Sequence, residues 1–81
     1  MSIERNLLIS LLKLTKESPA LLEDIKKDAR LPSSVCLKLI EQLQNEELIY
    51  LKAGCAEIDS RSRLKIAVKA VSLGADIQHI S

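Results

Sequence analysis

The chain has 81 residues, of which 47% are apolar and 28% charged, and twelve basic residues against eleven acidic ones leave a formal net charge of +1. This length and apolar content predict one domain with its own core and exclude a disordered chain. The balance of charge excludes the strongly basic proteins that bind nucleic acid through summed charge alone.

Membrane and secretory proteins are also excluded by the sequence pattern. No apolar run approaches the roughly 20 residues of a membrane helix, and the first residues lack the features of a signal peptide. We therefore expect a cytoplasmic protein that does not associate with membranes.

Residues suited to catalysis or metal binding are scarce. Cys36, Cys55 and His79 provide too few soft ligands for a structural zinc site. The two glycines, Gly54 and Gly74, form no phosphate-binding loop. His79, the third residue from the end of the sequence, is interpreted as a solvated side chain. We expect no enzymatic activity from this chain, no metal and no cofactor.

The first predicted helix spans residues 3–15, with Ser2 as its N-cap. Its apolar face recurs at helical spacing and consists of Ile3, Leu7, Leu8, Leu11, Leu12 and Leu14. Ser10 falls on the opposite, polar face. The second predicted helix begins at Ser18-Pro19, because serine caps helices and proline suits the first helical position. It ends at Arg30-Leu31-Pro32.

The third predicted helix begins at Ser33 or Ser34 and runs to about residue 46. Its inward stripe consists of Val35, Cys36, Leu39, Ile40 and Leu43. At 100° per residue, its outward face consists of Ser34, Lys38, Glu41 and Asn45, flanked by Leu37 and Gln42.

A short hairpin and a fourth helix complete the pattern. Residues 48–52 and 55–58 are predicted strands joined by a turn at Ala53-Gly54. Asp59 caps a helix over residues 60–73, with Gly74 just beyond it. Apolar residues cover more than half of this helix, which indicates a second buried surface. The predicted interaction residues, for a second copy or a following domain, are Ile66, Ala70 and Leu73.

Two helices joined by a tight turn and followed by a hairpin resemble the winged helix-turn-helix family. The likeness is most specific over residues 20–52 and extends over nearly the whole chain. Residues 43–49 are similar to the family's usual exit from the third helix, except that Glu47 stands where glycine is frequent. The resemblance implies a mainly α fold: a three-helix core, a β-hairpin wing and a C-terminal fourth helix, in one domain over residues 1–81.

A narrower resemblance concerns residues 63–76, which look like archaeal winged-helix domains that precede a restriction-endonuclease-like domain. It implies that residues 1–81 are an N-terminal domain taken from a longer protein. Residues 76–81 fit that interpretation, because they read as the first turn of a further helix.

The family resemblance implies a module for double-stranded DNA, used in transcription regulation or nucleic-acid targeting, with the third helix as recognition helix. The implied contacts to phosphates and base edges are Arg30, Ser33, Ser34, Lys38, Gln42, Asn45 and Lys52. For the two serines, helix capping is an equal alternative, and for the others a solvated polar face remains open.

The fourth helix adds a charge argument. Residues 60–73 contain four basic residues and no acid, so the remaining eight bases against eleven acids leave the rest of the chain at −3. Arg61 and Lys65 share one face with Lys69 and could follow a DNA backbone, although a solvated face is the alternative.

A protein-interaction domain that binds no DNA is the second function class. The near-neutral charge, an acidic Glu41 in the outward face, an exposed Leu37 and the apolar fourth helix favour it. This domain would form a homodimer or bind another domain through the fourth helix.

Overall fold

A computed structural model describes residues 2–76, a mainly helical chain with a small three-stranded antiparallel sheet. The elements in chain order are α1 (Ile3–Leu14), β1 (Ala20–Leu21), α2 (Leu22–Ala29), α3 (Ser33–Asn45), β2 (Tyr50–Lys52), β3 (Cys55–Glu57) and α4 (Ser60–Ser72). The predicted mainly α class with a small β component is confirmed at this level. The predictions for His79 and for a further helix over residues 76–81 fall almost entirely outside the described residues.

The core forms around α1, which packs against α2, α3 and α4. Its largest fully buried side chains are Leu7, Leu8, Leu11, Ile25, Ile40 and Ile66. Ser2 caps α1 as predicted, because its hydroxyl accepts the N–H of Arg5 at 3.1 Å. The helical spacing predicts Ile3 in the core, but it is half exposed because it borders an open groove beside the turn between α2 and α3.

The polar side of α1 is covered by α2, contrary to the expectation that Ser10 faces solvent. Ser10 is buried, and its hydroxyl donates to Oδ2 of Asp28 at 2.6 Å. Lys13 Nζ donates to Oδ1 of the same carboxylate at 2.8 Å. Hydrogen bonds from Lys13 and Ser10 to the ionised form lower the pKa of Asp28. One carboxylate therefore joins α2 to two positions of α1.

The start of α2 differs from the prediction, which placed it at Ser18-Pro19. Ala20–Leu21 form a strand instead, with Ala20 opposite Ala56 and Leu21 opposite Cys55 of β3. This pairing satisfies backbone groups that an early helix would have used locally. Leu21 consequently lies exposed, and α2 begins at Leu22.

The sheet has the strand order β1-β3-β2. The predicted hairpin of β2 and β3 is therefore extended by a third strand, β1. Its turn is as predicted: Ala53 and Gly54 have φ values of 53° and 77°, the positive values of a two-residue type I′ turn. The carbonyl of Gly54 accepts the N–H of Leu22 at 3.1 Å. The turn is therefore tied to the first residue of α2.

Asp59 caps α4 as predicted, accepting the N–H of Ser62 at 2.7 Å. Because this bond stabilises the ionised carboxylate, it lowers the pKa of Asp59. Gly74 follows the helix with a φ of 100°, which confirms its predicted place beyond the C-terminus.

Three helices end in the same hydrogen-bond pattern, with a left-handed residue that is Arg30 after α2, Glu47 after α3 and Gly74 after α4. In each, the N–H groups of that residue and of the next donate to carbonyl groups three and five positions earlier, as in a Schellman motif. Glycine adopts this conformation without a Cβ penalty. Glu47, which carries a Cβ, is therefore a strained residue at the exit of α3.

We expect Glu47→Gly to raise the free energy of unfolding by about 0.5–1 kcal/mol, because relief of the left-handed strain outweighs the entropy that glycine loses. Urea unfolding measures the change. Glu41→Gly, inside α3 and equally exposed, is the matched control and should lower the same quantity by about 1 kcal/mol. A loss of stability in Glu47→Gly would contradict the strain argument.

A second expectation concerns acid. The pKa of Asp28 is lower in the folded chain than in the unfolded one, so its contribution to stability is complete above the unfolded pKa of about 3.9 and declines as pH falls through the folded value. We expect Asp28→Asn to unfold with a flatter dependence of stability on pH below about pH 5. Equal slopes for parent and variant, measured by urea unfolding at several pH values, would refute this role.

Candidate nucleic-acid interface

The turn between α2 and α3 determines the direction in which α3 begins. Arg30 has a φ of 57°, and Pro32 has extended backbone at the N-cap position of α3. The carbonyl of Pro32 accepts the N–H of Cys36 at 3.0 Å. Arg30 is exposed at this bend, three residues before α3 begins, where the sequence predicts a phosphate contact.

Ser33 and Ser34 occupy the first two positions of α3 rather than its N-cap, so the alternative that they cap the helix is wrong. Pro32 takes the cap position and offers no side-chain hydrogen bond. The Ser33 hydroxyl accepts from Lys26 Nζ at 3.0 Å, and both serines are exposed. The first-turn N–H groups have no side-chain acceptor, and the positive end of the helix dipole favours an anion there.

The outward face of α3 lies where the 100° arithmetic predicts. Lys38, Glu41, Gln42 and Asn45 are all exposed, and their side chains form no hydrogen bond or ion pair within residues 2–76. Leu37 is 56% exposed beside them. This face therefore carries an ammonium, two amides and one carboxylate without partners in the described chain.

The hairpin of β2 and β3 contributes one cation. Lys52 lies on the edge strand β2, directly opposite Cys55 of β3, and is exposed. The residues of the turn itself, Ala53 and Gly54, carry no charge. Lys52 is therefore the charged residue of this hairpin that matches the predicted backbone contact.

Two of the four basic side chains of α4 bind groups elsewhere in the domain, and the other two point outward. Arg63 donates to the carbonyl oxygens of Leu12 at 2.5 Å and Thr15 at 3.2 Å, at the C-terminus of α1. Lys69 forms ion pairs with Glu46 at 3.0 Å and Glu4 at 3.4 Å.

The bond to Glu46 is the main cause of a raised pKa of Lys69. Arg61 and Lys65 are exposed without such partners among the described residues. The predicted stripe of Arg61, Lys65 and Lys69 is therefore reduced to its first two members, because Lys69 is neutralised.

The predicted interaction residues of α4 require correction. Ile66 and Ala70 have no exposed surface because they pack into the core, and Leu73 is half-buried. The outward apolar residues are instead Leu64, Val68 and Val71. Their spacing of four and three residues, opposite Ile66 and Ala70 on a helical wheel, is the sequence feature that could have identified them.

Residues 2–76 line several open grooves. One of them, of about 530 Å³, lies between α1 and the turn after α2. Two of its three charged residues, Lys13 and Asp28, bind each other, and the third is Arg30. Within residues 2–76, no group of three or more His, Cys, Asp or Glu side chains is placed to hold a metal ion. No helix of that described part is long and apolar enough to cross a membrane.

No family model, curated protein or solved structure matches the chain. The two surfaces with exposed side chains suited to binding are the polar face of α3 and the outward side of α4.

The two kinds of lysine on α4 should respond differently to substitution. Lys65→Ala should change the free energy of unfolding by less than about 0.5 kcal/mol, because it removes an exposed side chain that has no partner. Lys69→Ala should lower it by about 0.5–1 kcal/mol, because Glu4 and Glu46 lose the cation they share. Urea unfolding of both variants tests this division, and equal effects would contradict it.

Proposed function

We propose that the chain is a winged helix-turn-helix module that binds double-stranded DNA, in transcription regulation or nucleic-acid targeting, with α3 as its recognition helix. The observation that carries the proposal is the outward face of α3, whose polar side chains have no partner within the described residues. The order of the elements and the sheet that follows α3 support it, because a winged helix uses this sequence of helices and strands.

The contacts divide by chemistry. Arg30, Ser33 and Ser34 lie around the start of α3, where a cation, hydroxyl groups and first-turn N–H groups suit a phosphate. Lys52 on the wing is the second backbone contact. Side chains of α3 would contact the base edges. Lys38 suits a phosphate or a guanine, and the amides of Gln42 and Asn45 suit adenine.

Charge limits the affinity of a single domain. The net charge is +1, and Glu41 in the middle of the α3 face repels phosphates that come close to it. Few phosphate contacts give weak binding with a shallow dependence on salt. Arg61 and Lys65 add to binding only where the DNA also reaches α4.

The second candidate is a protein-interaction domain, favoured by one specific observation. Leu37, Leu64, Val68 and Val71 are large apolar side chains that remain about half exposed or more. Apolar surface of this kind is typical of a site that a protein partner covers.

Fluorescence anisotropy of a labelled random-sequence duplex, titrated with the domain at low and at physiological salt, tests DNA binding. We expect binding at low salt that weakens as salt rises. Arg30→Ala and Lys38→Ala should each weaken it and reduce the salt slope by about 0.9 for each phosphate that the variant no longer neutralises.

Lys16→Ala is the matched control, since it removes one exposed positive charge from the segment after α1 and should leave the salt slope unchanged. No binding at low salt would refute the proposal and favour the interaction domain. Binding unchanged in both Arg30→Ala and Lys38→Ala would show that DNA does not bind at α3.

A further inference from the structure

The outward side of α4 carries an uninterrupted line of apolar side chains. Leu64, Val68 and Val71 follow one another at helical spacing and are 69%, 62% and 45% exposed. Positions four and then three residues apart lie along one side of a helix. Singly exposed apolar residues need no explanation, whereas an aligned set on one helix is typical of a contact surface.

Charge varies along the same helix from one end to the other. Beside the N-terminal half of the apolar line lie Arg61 and Lys65, exposed and without partners among the described residues. Beside the C-terminal half, Lys69 is bound by Glu4 and Glu46. At that end Glu4, Glu46 and Asp76 against Lys69 and Arg5 leave a charge of −1. At the other end Arg61, Arg63 and Lys65 against Asp59 leave +2.

A surface that is positive at one end and negative at the other is complementary to itself after a half-turn. In an antiparallel pair of helices, the same flank of each helix meets, with the two ends exchanged. The positive end of one α4 then lies beside the negative end of the other. A uniformly acidic partner or an anionic membrane would satisfy Arg61 and Lys65, but the carboxylates of Glu4 and Glu46 would repel it.

We propose that the chain pairs with a second copy of itself through α4, antiparallel, with Val68 close to the two-fold axis. Leu64 then packs against the partner's Val71, and Lys65 approaches the partner's Glu46. The opposed helix dipoles favour the same arrangement. The proposal stands independently of DNA binding at α3, since none of its contacts uses the outward face of that helix.

The size of the contact sets the expected strength. A standard interface buries about 800 Å² on each partner, which is a large share of the 5262 Å² that this domain exposes. One helix face with its flanks buries less, and small interfaces are typical of weak, reversible association. We therefore expect a monomer–dimer equilibrium in the micromolar to millimolar range.

Sedimentation equilibrium of the full chain under reducing conditions, from micromolar to millimolar concentration, measures this equilibrium. We expect Val68→Glu to raise the dissociation constant at least tenfold. Leu37→Glu is the matched control: it introduces the same charge at an exposed apolar position of α3 and should not change the constant. Circular dichroism and urea unfolding confirm that both variants are folded.

Charge reversal tests the orientation. Lys65→Glu should weaken the dimer at low salt, because two carboxylates then face each other at each end. Adding Glu46→Lys to Lys65→Glu should restore much of the association. A parallel pair would not place these residues opposite each other, so failure of the folded double variant to recover would overturn the antiparallel arrangement.

Two further outcomes would overturn the proposal as a whole. One is a parent chain that remains monomeric at millimolar concentration, and the other is a dimer that persists in Val68→Glu. Co-sedimentation of the monomer with vesicles of phosphatidylglycerol and phosphatidylcholine, abolished in Val68→Glu, would assign the apolar line to a membrane surface instead.

Discussion

The packing of α1 against its neighbours is the interaction on which the other features depend. Leu7, Leu8 and Leu11 are completely buried, and without Phe or Trp in the sequence such leucines supply most of the core volume. Polar contacts secure two of its three helical neighbours: Asp28 joins α2 to α1, and Arg63 joins α4 to the C-terminus of α1. Because α3 and α4 both pack against α1, that helix fixes where their outward faces lie.

The helices could be predicted from the sequence because each has an apolar stripe at helical period and a recognisable start or stop. Ser2, Asp59 and Gly74 occupy the predicted end positions. The outward face of α3 was predictable for the same reason, since its exposure follows from the position of its buried stripe. The strand β1 was not, because two residues are too short to show alternation and their partner strand lies far along the chain.

Side chains with tertiary roles could not be predicted either. On a helical wheel Lys69 looks like an ordinary solvated cation and Arg63 falls beside the buried Ala70. The wheel does not show that Arg63 binds carbonyl groups at the end of α1, or that Lys69 binds Glu4 of α1 and Glu46 just after α3. Neither partner is near in sequence, so spacing contains no trace of these contacts. The prediction of the interaction residues was wrong for a similar reason. The sequence shows an excess of apolar residues on α4, but Ile66 and Ala70 belong to the side that packs against the core.

The pairing of β1 with β3 has a consequence for the order in which the domain opens and closes. It joins Ala20 to Ala56, so α2, α3 and the hairpin turn all lie within the loop that it closes, and loops of that length close late in folding. The carbonyl of Gly54 in that turn also receives the first N–H of α2. Local opening of the sheet therefore releases the start of α2 at the same time, and amide exchange at Leu22 reports on a hairpin that is distant along the chain.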